Sequence, residues 1–255
     1  MKKFFLFAFV MFVTSNAVSA QDTTINQHKW SWLVEPYLMF PNLNGSLGVG
    51  TLPTVSVDAN ASDIFSHLKM VGVVYAEARK GDWVINSDII YMKLGQDATP
   101  NTLINSGNVT AKLFLWNVSG LLRITPWLEL GPAIMLNSIN SSVDINKNNI
   151  GGGTTNLSKE ISNTWGDFLL VARIANKPGQ KFIYQLRGDV GGGIGATKNA
   201  VWQVQAYAGY RFSKLFQLTG GYRVISLNYE NGQGNEHFLF DADMFGPVIR
   251  FGFNF

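Results

Sequence analysis

From Trp30 onward the chain alternates. Trp30, Trp32, Val34, Pro36, Leu38 and Phe40 share one parity and Ser31, Leu33, Glu35, Tyr37 and Met39 the other, so an extended backbone carries an apolar face opposite one bearing a carboxylate. The pattern recurs: Glu77 and Arg79 oppose Val74, Ala76 and Ala78, and Asn86 and Asp88 oppose Trp83, Ile85, Ile89 and Tyr91. Asn117, Ser119 and Arg123 oppose Phe114, Trp116, Val118, Leu122 and Ile124, and Glu129 opposes Leu128, Leu130, Ile134 and Leu136. Asp167 and Arg173 oppose Phe168, Leu170 and Ile174; Gln185, Arg187, Asp189, Gly191 and Gly193 oppose Phe182, Tyr184, Leu186, Val190 and Ile194. Gln203, Gln205, Tyr207 and Arg211 face away from Trp202, Val204, Tyr210 and Phe212, and Gln217, Thr219 and Arg223 from Phe216, Leu218, Tyr222 and Val224. A last strand runs from about Phe238 to Phe255, with Pro247, Ile249, Phe251, Phe253 and Phe255 on one side and Gly246, Val248, Arg250, Gly252 and Asn254 on the other.

The connections alternate too. Tight turns are expected at Lys80-Gly81-Asp82, Thr125-Pro126, Lys177-Pro178-Gly179-Gln180 and Ser213-Lys214. Loops are expected at about 40–69, 95–107, 140–162, 196–199 and 230–236. Short turns at one end and longer loops at the other, joining about ten strands, predict an all-β fold: a closed antiparallel transmembrane β-barrel with both termini at the turn end. Eight and twelve strands are also compatible. The count turns on Leu43 to Val57, which has strand character, and on Ala61 to Leu68, which reads as a short helix started by Asn60 and placed in the first outer loop or the lumen.

Composition narrows the setting. Met1-Lys2-Lys3, the apolar run Phe4 to Val13 and Val18-Ser19-Ala20 have the parts of a secretory signal peptide, giving a signal over 1–20 and a barrel domain over 21–255. Removing Lys2 and Lys3 takes the formal charge from +3 to +1, which argues against a nucleic-acid partner. Cysteine is absent, excluding disulfides, thiolate-bound metals and a lipidated N-terminus. No apolar run after the signal is of helical membrane length, so membrane entry requires a closed barrel. Trp30, Trp83, Trp127, Phe182, Trp202, Phe212 and Phe216, near strand ends, resemble an interfacial girdle.

The terminal Phe251-x-Phe253-x-Phe255 resembles the closing strand of bacterial outer-membrane barrels, whose last aromatic is read by the barrel-assembly machinery. A closer resemblance spans Trp30 to Leu94. Glu35-Pro36-Tyr37-Leu38, Gly45 to Gly50, Ser62 to Leu68, Glu77 to Trp83 and Asp88 to Met92 look like a family of uncharacterised outer-membrane β-barrel proteins of Gram-negative bacteria. The resemblance implies fold and an integral outer-membrane location, with membrane lipid and the assembly machinery as partners. It brings no catalytic residue and no cofactor.

The charged parity defines the expected lumen: Arg79, Arg123, Arg173, Arg187, Arg211, Arg223 and Arg250 beside Glu35, Glu77, Asp88, Glu129, Asp167 and Asp189. Seven arginines and six carboxylates in a narrow interior predict a hydrogen-bonded ion-pair network that fills it. A structural or surface-interaction role follows, with a narrow channel or a carrier of a small polar or hydrophobic ligand as the alternative. A rim hydrolase built on His237, Asp241 and Asp243 is disfavoured, because that parity is the outward one of Phe251 and Phe253. No metal-ligand spacing, phosphate loop or nucleophile elbow occurs. The run Gly191-Gly192-Gly193 marks a bulge or a close approach inside the lumen, for which the 61–68 helix is a candidate.

Overall fold

The computed structural model describes residues 29–51, 53–97, 104–148, 153–177, 179–193 and 198–255. The expected signal, residues 98–103 and 149–152 of two expected loops, Pro178, and residues 196–197 of the expected 196–199 turn lie outside them. Among the described residues the strands are β1 (Ser31–Met39), β2 (Asn42–Val49), β3 (Val55–Ala59), β4 (Leu68–Lys80), β5 (Trp83–Asp97), β6 (Ile104–Arg123) and β7 (Leu128–Asn148). They continue as β8 (Thr154–Ala175), β9 (Phe182–Gly192), β10 (Lys198–Arg211), β11 (Phe216–Asn231) and β12 (Phe238–Asn254), with one α-helix, α1 (Ala61–Ser66), between β3 and β4.

Ten of these strands, β1 and β4 to β12, close an antiparallel barrel, and β2 and β3 form a hairpin added to its rim. Closure runs through β12 and β1, with Asn254 opposite Leu33, Arg250 opposite Tyr37 and Val248 opposite Met39. Beyond that, β12 continues and pairs with β2 from Phe245 to Phe238. β1 and β2 are thus successive halves of one rail, interrupted at Phe40-Pro41. Gly246 sits opposite the break, where a side chain would strike the Phe40 carbonyl. The strand character of 43–57 is therefore real, yet β3 pairs only with β2 and the barrel keeps ten staves.

The helix forms where expected and ends at Ser66. Asn60 caps it by accepting from the Asp63 amide, and the Asp63 carboxylate accepts from the Asn60 amide in return. The β1–β4 ladder stops at Pro36 and Val74, and Ile64 of α1 packs beyond that point with Met39, Met92 and Met244. The helix is not what approaches the glycine run. Gly191 is crowded by the Phe168 carbonyl of β8, Gly192 by the Asn199 carbonyl of β10, and Gly193 by Gly166 and Asn199, so those positions are kept bare for neighbouring strands.

Two expected loops are strand wherever they are described. Residues 95–97 and 104–107, and residues 140–148 and 154–162, continue β5, β6, β7 and β8 past the barrel wall, and the β7–β8 ladder is unbroken from Leu128↔Ile174 to Asn148↔Thr154. Their Asn, Ser and Thr content suggested coil. Pairs such as Ser138 with Thr164 at 2.9 Å, and Asn140 donating to Glu160 at 2.7 Å, hold them as ladder instead.

At the opposite end the turns are short, as expected. Gly81 takes φ +59°, which turns β4 into β5. Thr125 Oγ1 accepts from the Leu128 amide at 3.0 Å, and Ser213 Oγ from the Phe216 amide at 2.9 Å. Aromatics cluster here on the outer surface: Trp30, Trp32, Trp83, Trp127, Phe182, Phe212 and Phe255 are all exposed. Ring contacts run from Phe182 through Tyr210, Phe212 and Phe216 to Phe253 at centroid separations of 5.3–5.9 Å. The wall above is an exposed apolar belt including Ile85, Ile134, Phe168, Leu170, Leu186 and Val204.

Candidate functional site

The barrel interior is where the chain has placed its chemistry. Every residue of the expected charged parity faces inward, and strand tilt sorts them into clusters. Nearest the turn end, Glu77 and Glu129 are held by arginines of three strands. Arg173 Nε donates to Glu129 at 2.6 Å, while its Nη1 donates to Glu77 and, at 2.9 Å, to the Tyr75 hydroxyl. Arg79 bridges the same carboxylates, donating to Glu77 and, at 2.7 Å, to Glu129. Arg123 adds a contact to Glu129 at 3.1 Å from a more exposed position.

A second cluster crosses the middle of the lumen. Arg223 donates to Asp88 at 2.6 Å and to Gln203 at 2.9 Å; Gln203 passes its amide hydrogen to Asp189. Asp189 takes both forks of Arg187 at 2.8 Å, and Arg187 reaches on to Asn86 at 2.9 Å and Asn117 at 3.1 Å. One hydrogen-bonded chain therefore ties β5, β6, β9, β10 and β11, and its bidentate pair fixes orientation as well as charge.

The third cluster lies at the closing seam. Glu35 accepts from Gln217 at 3.0 Å and from Arg250 at 3.4 Å, and Arg250 also donates to Gln205 at 3.1 Å. The Arg250 guanidinium sits among the rings of Tyr207, Tyr75 and Tyr37, at 3.9, 4.8 and 5.4 Å from their centroids. Its planar cation is thus held by aromatic faces as much as by the carboxylate.

Two residues depart from the expected pairing. Asp167 meets no arginine among the described residues and accepts from Asn137 at 2.6 Å. Arg211 meets no carboxylate among the described residues and donates to Gln217 at 2.9 Å and Asn254 at 3.3 Å. Both lie where the facing strands offer amides. The tyrosines, Asn86 and Asn117 are full members of the network that charge alone passed over, and their shared parity with the arginines was the available signal.

Toward the loop end the lumen turns apolar. Met39, Met92, Met135 and Met244 project inward with Leu115, Leu169, Ile225 and Leu227, joined by Ile64 of α1. Above them Trp165 of β8 stacks on Tyr229 of β11 at 4.2 Å and 13°, with Phe238 at 6.4 Å from Trp165. Arg173 and Ile225 are 0% exposed, Met135 1% and Leu169 2%, so these side chains are closed off from water.

The turn end is hollow. A cavity of about 220 Å³ opens there, lined by β1, β4, β9, β10, β11 and β12 and by Ala175 at the end of β8. At the loop rim, His237 and Lys198 each lie 3.1 Å from Glu230, while Asp241 and Asp243 point outward. Among the described residues no group of three or more His, Cys, Asp or Glu could hold a metal.

No protein-family model matches the chain, and no curated protein matches it. Solved structures match in fold. The outer membrane protease OmpT from Escherichia coli aligns over 88% of this chain and 97% of its own, at TM-score 0.48 and 10% identity. Ail, the attachment invasion locus protein of Yersinia pestis, aligns over 89% and 99% at 0.37 and 10%. The toluene transporter TodX of P. putida aligns over 89% and 90% at 0.38 and 6%. These are Gram-negative outer-membrane barrels with different roles, and at such scores they carry no argument about the role of this one.

Proposed function

We propose that this chain is a small integral outer-membrane β-barrel whose filled lumen braces the wall, and whose work is done by the polar surface projecting beyond the loop end. The observation that carries this reading is the burial of the lumen side chains, with Arg173 and Ile225 at 0% exposure. A solute path would require the ion-pair layer and the Trp165–Tyr229 stack to move together. The membrane location is supported by the apolar belt, the aromatic ring at the turn end, and the signal-like composition of residues 1–20. The role is non-enzymatic in this reading: His237 is engaged by Glu230, and Asp241 and Asp243 stand on the opposite face of β12 from the lumen. Conductance in planar bilayers tests it. The folded protein is expected to leave the membrane resistance unchanged, and stable, large openings would overturn the reading.

A further inference from the structure

The outer face of β4, β5 and β6 carries a basic cluster at the loop end of the apolar belt. Lys93 of β5 and Lys112 of β6 are direct cross-strand partners, and the rungs beneath them on the same face are Tyr91↔Phe114 and Ile89↔Trp116. Their parity is the outward one of Trp83, Ile85 and Trp116, whereas Asp88, Ile90, Leu115 and Asn117 on the other parity are buried. Lys69 joins them through a bulge. The β4–β5 register shifts between Leu68 and Met70, which turns Lys69 out of the lumen parity of Val71 and Val73. Its stem lies across Gly95, where an added Cβ would stand 3.1 Å from both Lys69 Cγ and Lys69 Cε. Gly95 is the next outward position beyond Lys93, so three lysines share one small area.

Like charges directly opposite each other destabilise a ladder, and the chain supplies nothing to offset these. Among the described residues no carboxylate lies within ion-pair distance of Lys69, Lys93 or Lys112. The acids of the adjoining segments are engaged elsewhere: Asp63 accepts from the Asn60 amide, Asp97 from Asn108 and Glu160 from Asn140. Lys198, the outward lysine of β10, is by contrast paired with Glu230.

Height fixes the setting. On β5, Lys93 stands ten residues above Trp83, a member of the turn-end aromatic ring. At about 3.3 Å per residue and a strand tilt of about 40°, that is roughly 25 Å along the barrel axis, the height of the apolar band of an outer-membrane barrel. Lys93 and Lys112 therefore stand at the headgroup level of the outer leaflet, with Tyr91 and Phe114 just below them.

We propose that Lys69, Lys93 and Lys112 bind the phosphate headgroup of an anionic lipid in the outer leaflet, whose acyl chains lie against Met70, Tyr91 and Phe114. The phosphate provides the negative charge that the chain withholds from its three lysines. Met70, 59% exposed and opposite Lys93 in the β4–β5 ladder, provides apolar contact next to the charge. The proposal rests on the membrane reading above and adds to it a lipid class and the residues that select it. A chain that stays folded and monomeric without detergent would defeat that reading, whereas the outcomes below defeat the lipid site alone.

Electron spin resonance of the full chain, reconstituted in phosphatidylcholine vesicles with a trace of spin-labelled phosphatidic acid or spin-labelled phosphatidylcholine, tests it. The motionally restricted fraction gives the preference of the barrel for one lipid over the other. A preference for phosphatidic acid of about fivefold or more is expected at low ionic strength, falling at least about twofold in Lys93→Gln/Lys112→Gln and by a smaller factor in Lys69→Gln. Lys198→Gln, at the loop end, and Lys214→Gln, in the β10–β11 turn, are expected to keep the preference of the parent. Equal association of the two lipids with the parent would overturn the proposal, as would an unchanged preference in the double variant. So would an equal loss in Lys198→Gln or Lys214→Gln, which would make the effect one of diffuse charge. Loss of the preference on adding inorganic phosphate at constant ionic strength would overturn it too, by showing a site for the free anion rather than for a lipid. The substitutions face outward and relieve a like-charge pair, so the variants are expected to fold, which heat-modifiable migration verifies. If the double variant does not, Lys112→Gln and Lys69→Gln decide singly.

Discussion

Trp32 and Phe255 exchange two backbone hydrogen bonds, the Trp32 amide donating to Phe255 at 3.1 Å and the Phe255 amide to Trp32 at 2.9 Å. The last residue of the chain is therefore a rung of the closing seam, and its ring lies exposed on the outer face. Deleting Phe255 removes both bonds and bares the start of β1, whereas Phe255→Ala keeps the bonds and removes only the ring. The deletion is expected to assemble more slowly and to leave more heat-unmodified protein than Phe255→Ala, each lost bond being worth about 1 kcal/mol. Equal assembly of both with the parent, read by gel migration over time, would contradict this and the assembly role expected for Phe251, Phe253 and Phe255.

Arg173 is fully buried between Glu77 and Glu129, while Arg123 reaches Glu129 from a partly exposed position. Replacing Arg173 by Met removes the buried cation between Glu77 and Glu129 and leaves Arg79 alone to bridge them, at an expected loss of about 3–5 kcal/mol. Arg123→Met should lose less than about 1 kcal/mol. Urea unfolding in lipid vesicles measures both, and comparable losses would show that the layer is better hydrated than its burial indicates.

Arg250→Lys preserves the charge beside Glu35 but gives up the flat face between Tyr207, Tyr75 and Tyr37. A loss of about 1–2 kcal/mol is expected from the stacking alone. A cost no larger than that of Arg123→Lys in the same urea assay would remove the aromatic cage from the account.

Ile64 is the buried residue of α1, and it fills the place where β1 and β4 cease to pair. Ile64→Ala should loosen the helix by about 2–4 kcal/mol. Limited proteolysis of the folded protein should then cut faster within 40–67 while the barrel stays resistant. Unchanged cleavage would mean that the helix is held by its Asn60 cap alone.

The wall of the barrel was legible because each stave has one face in an apolar setting and one inside, and a period of two survives any choice of turn. Glu35 opposite Val34 was enough to orient β1, and Arg250 opposite Ile249 to orient β12. What period two does not encode is where a polar stave stops. Asn140 to Ser162 has hydroxyl and amide side chains on both faces, so alternation fades while the ladder continues. Partner choice was hidden for a similar reason. Parity places Asp167 and Arg211 in the lumen, but which group each meets depends on the stagger between distant strands. The aromatic layer went unread because Trp165, Tyr229 and Phe238 come together only across the barrel.

The long β7–β8 ladder has one more consequence, which concerns inheritance of length. Above Asn137 and Trp165 the two strands pair, among the described residues, with each other and with β6 alone, so residues can be gained or lost in opposing pairs near the tip while every side chain below keeps its direction. A single insertion beneath that level would turn the Glu129–Arg173 side of the wall inside out. The projecting blade is thus free to be trimmed or extended as a ruler is, in whole graduations, and the interior it stands on is not.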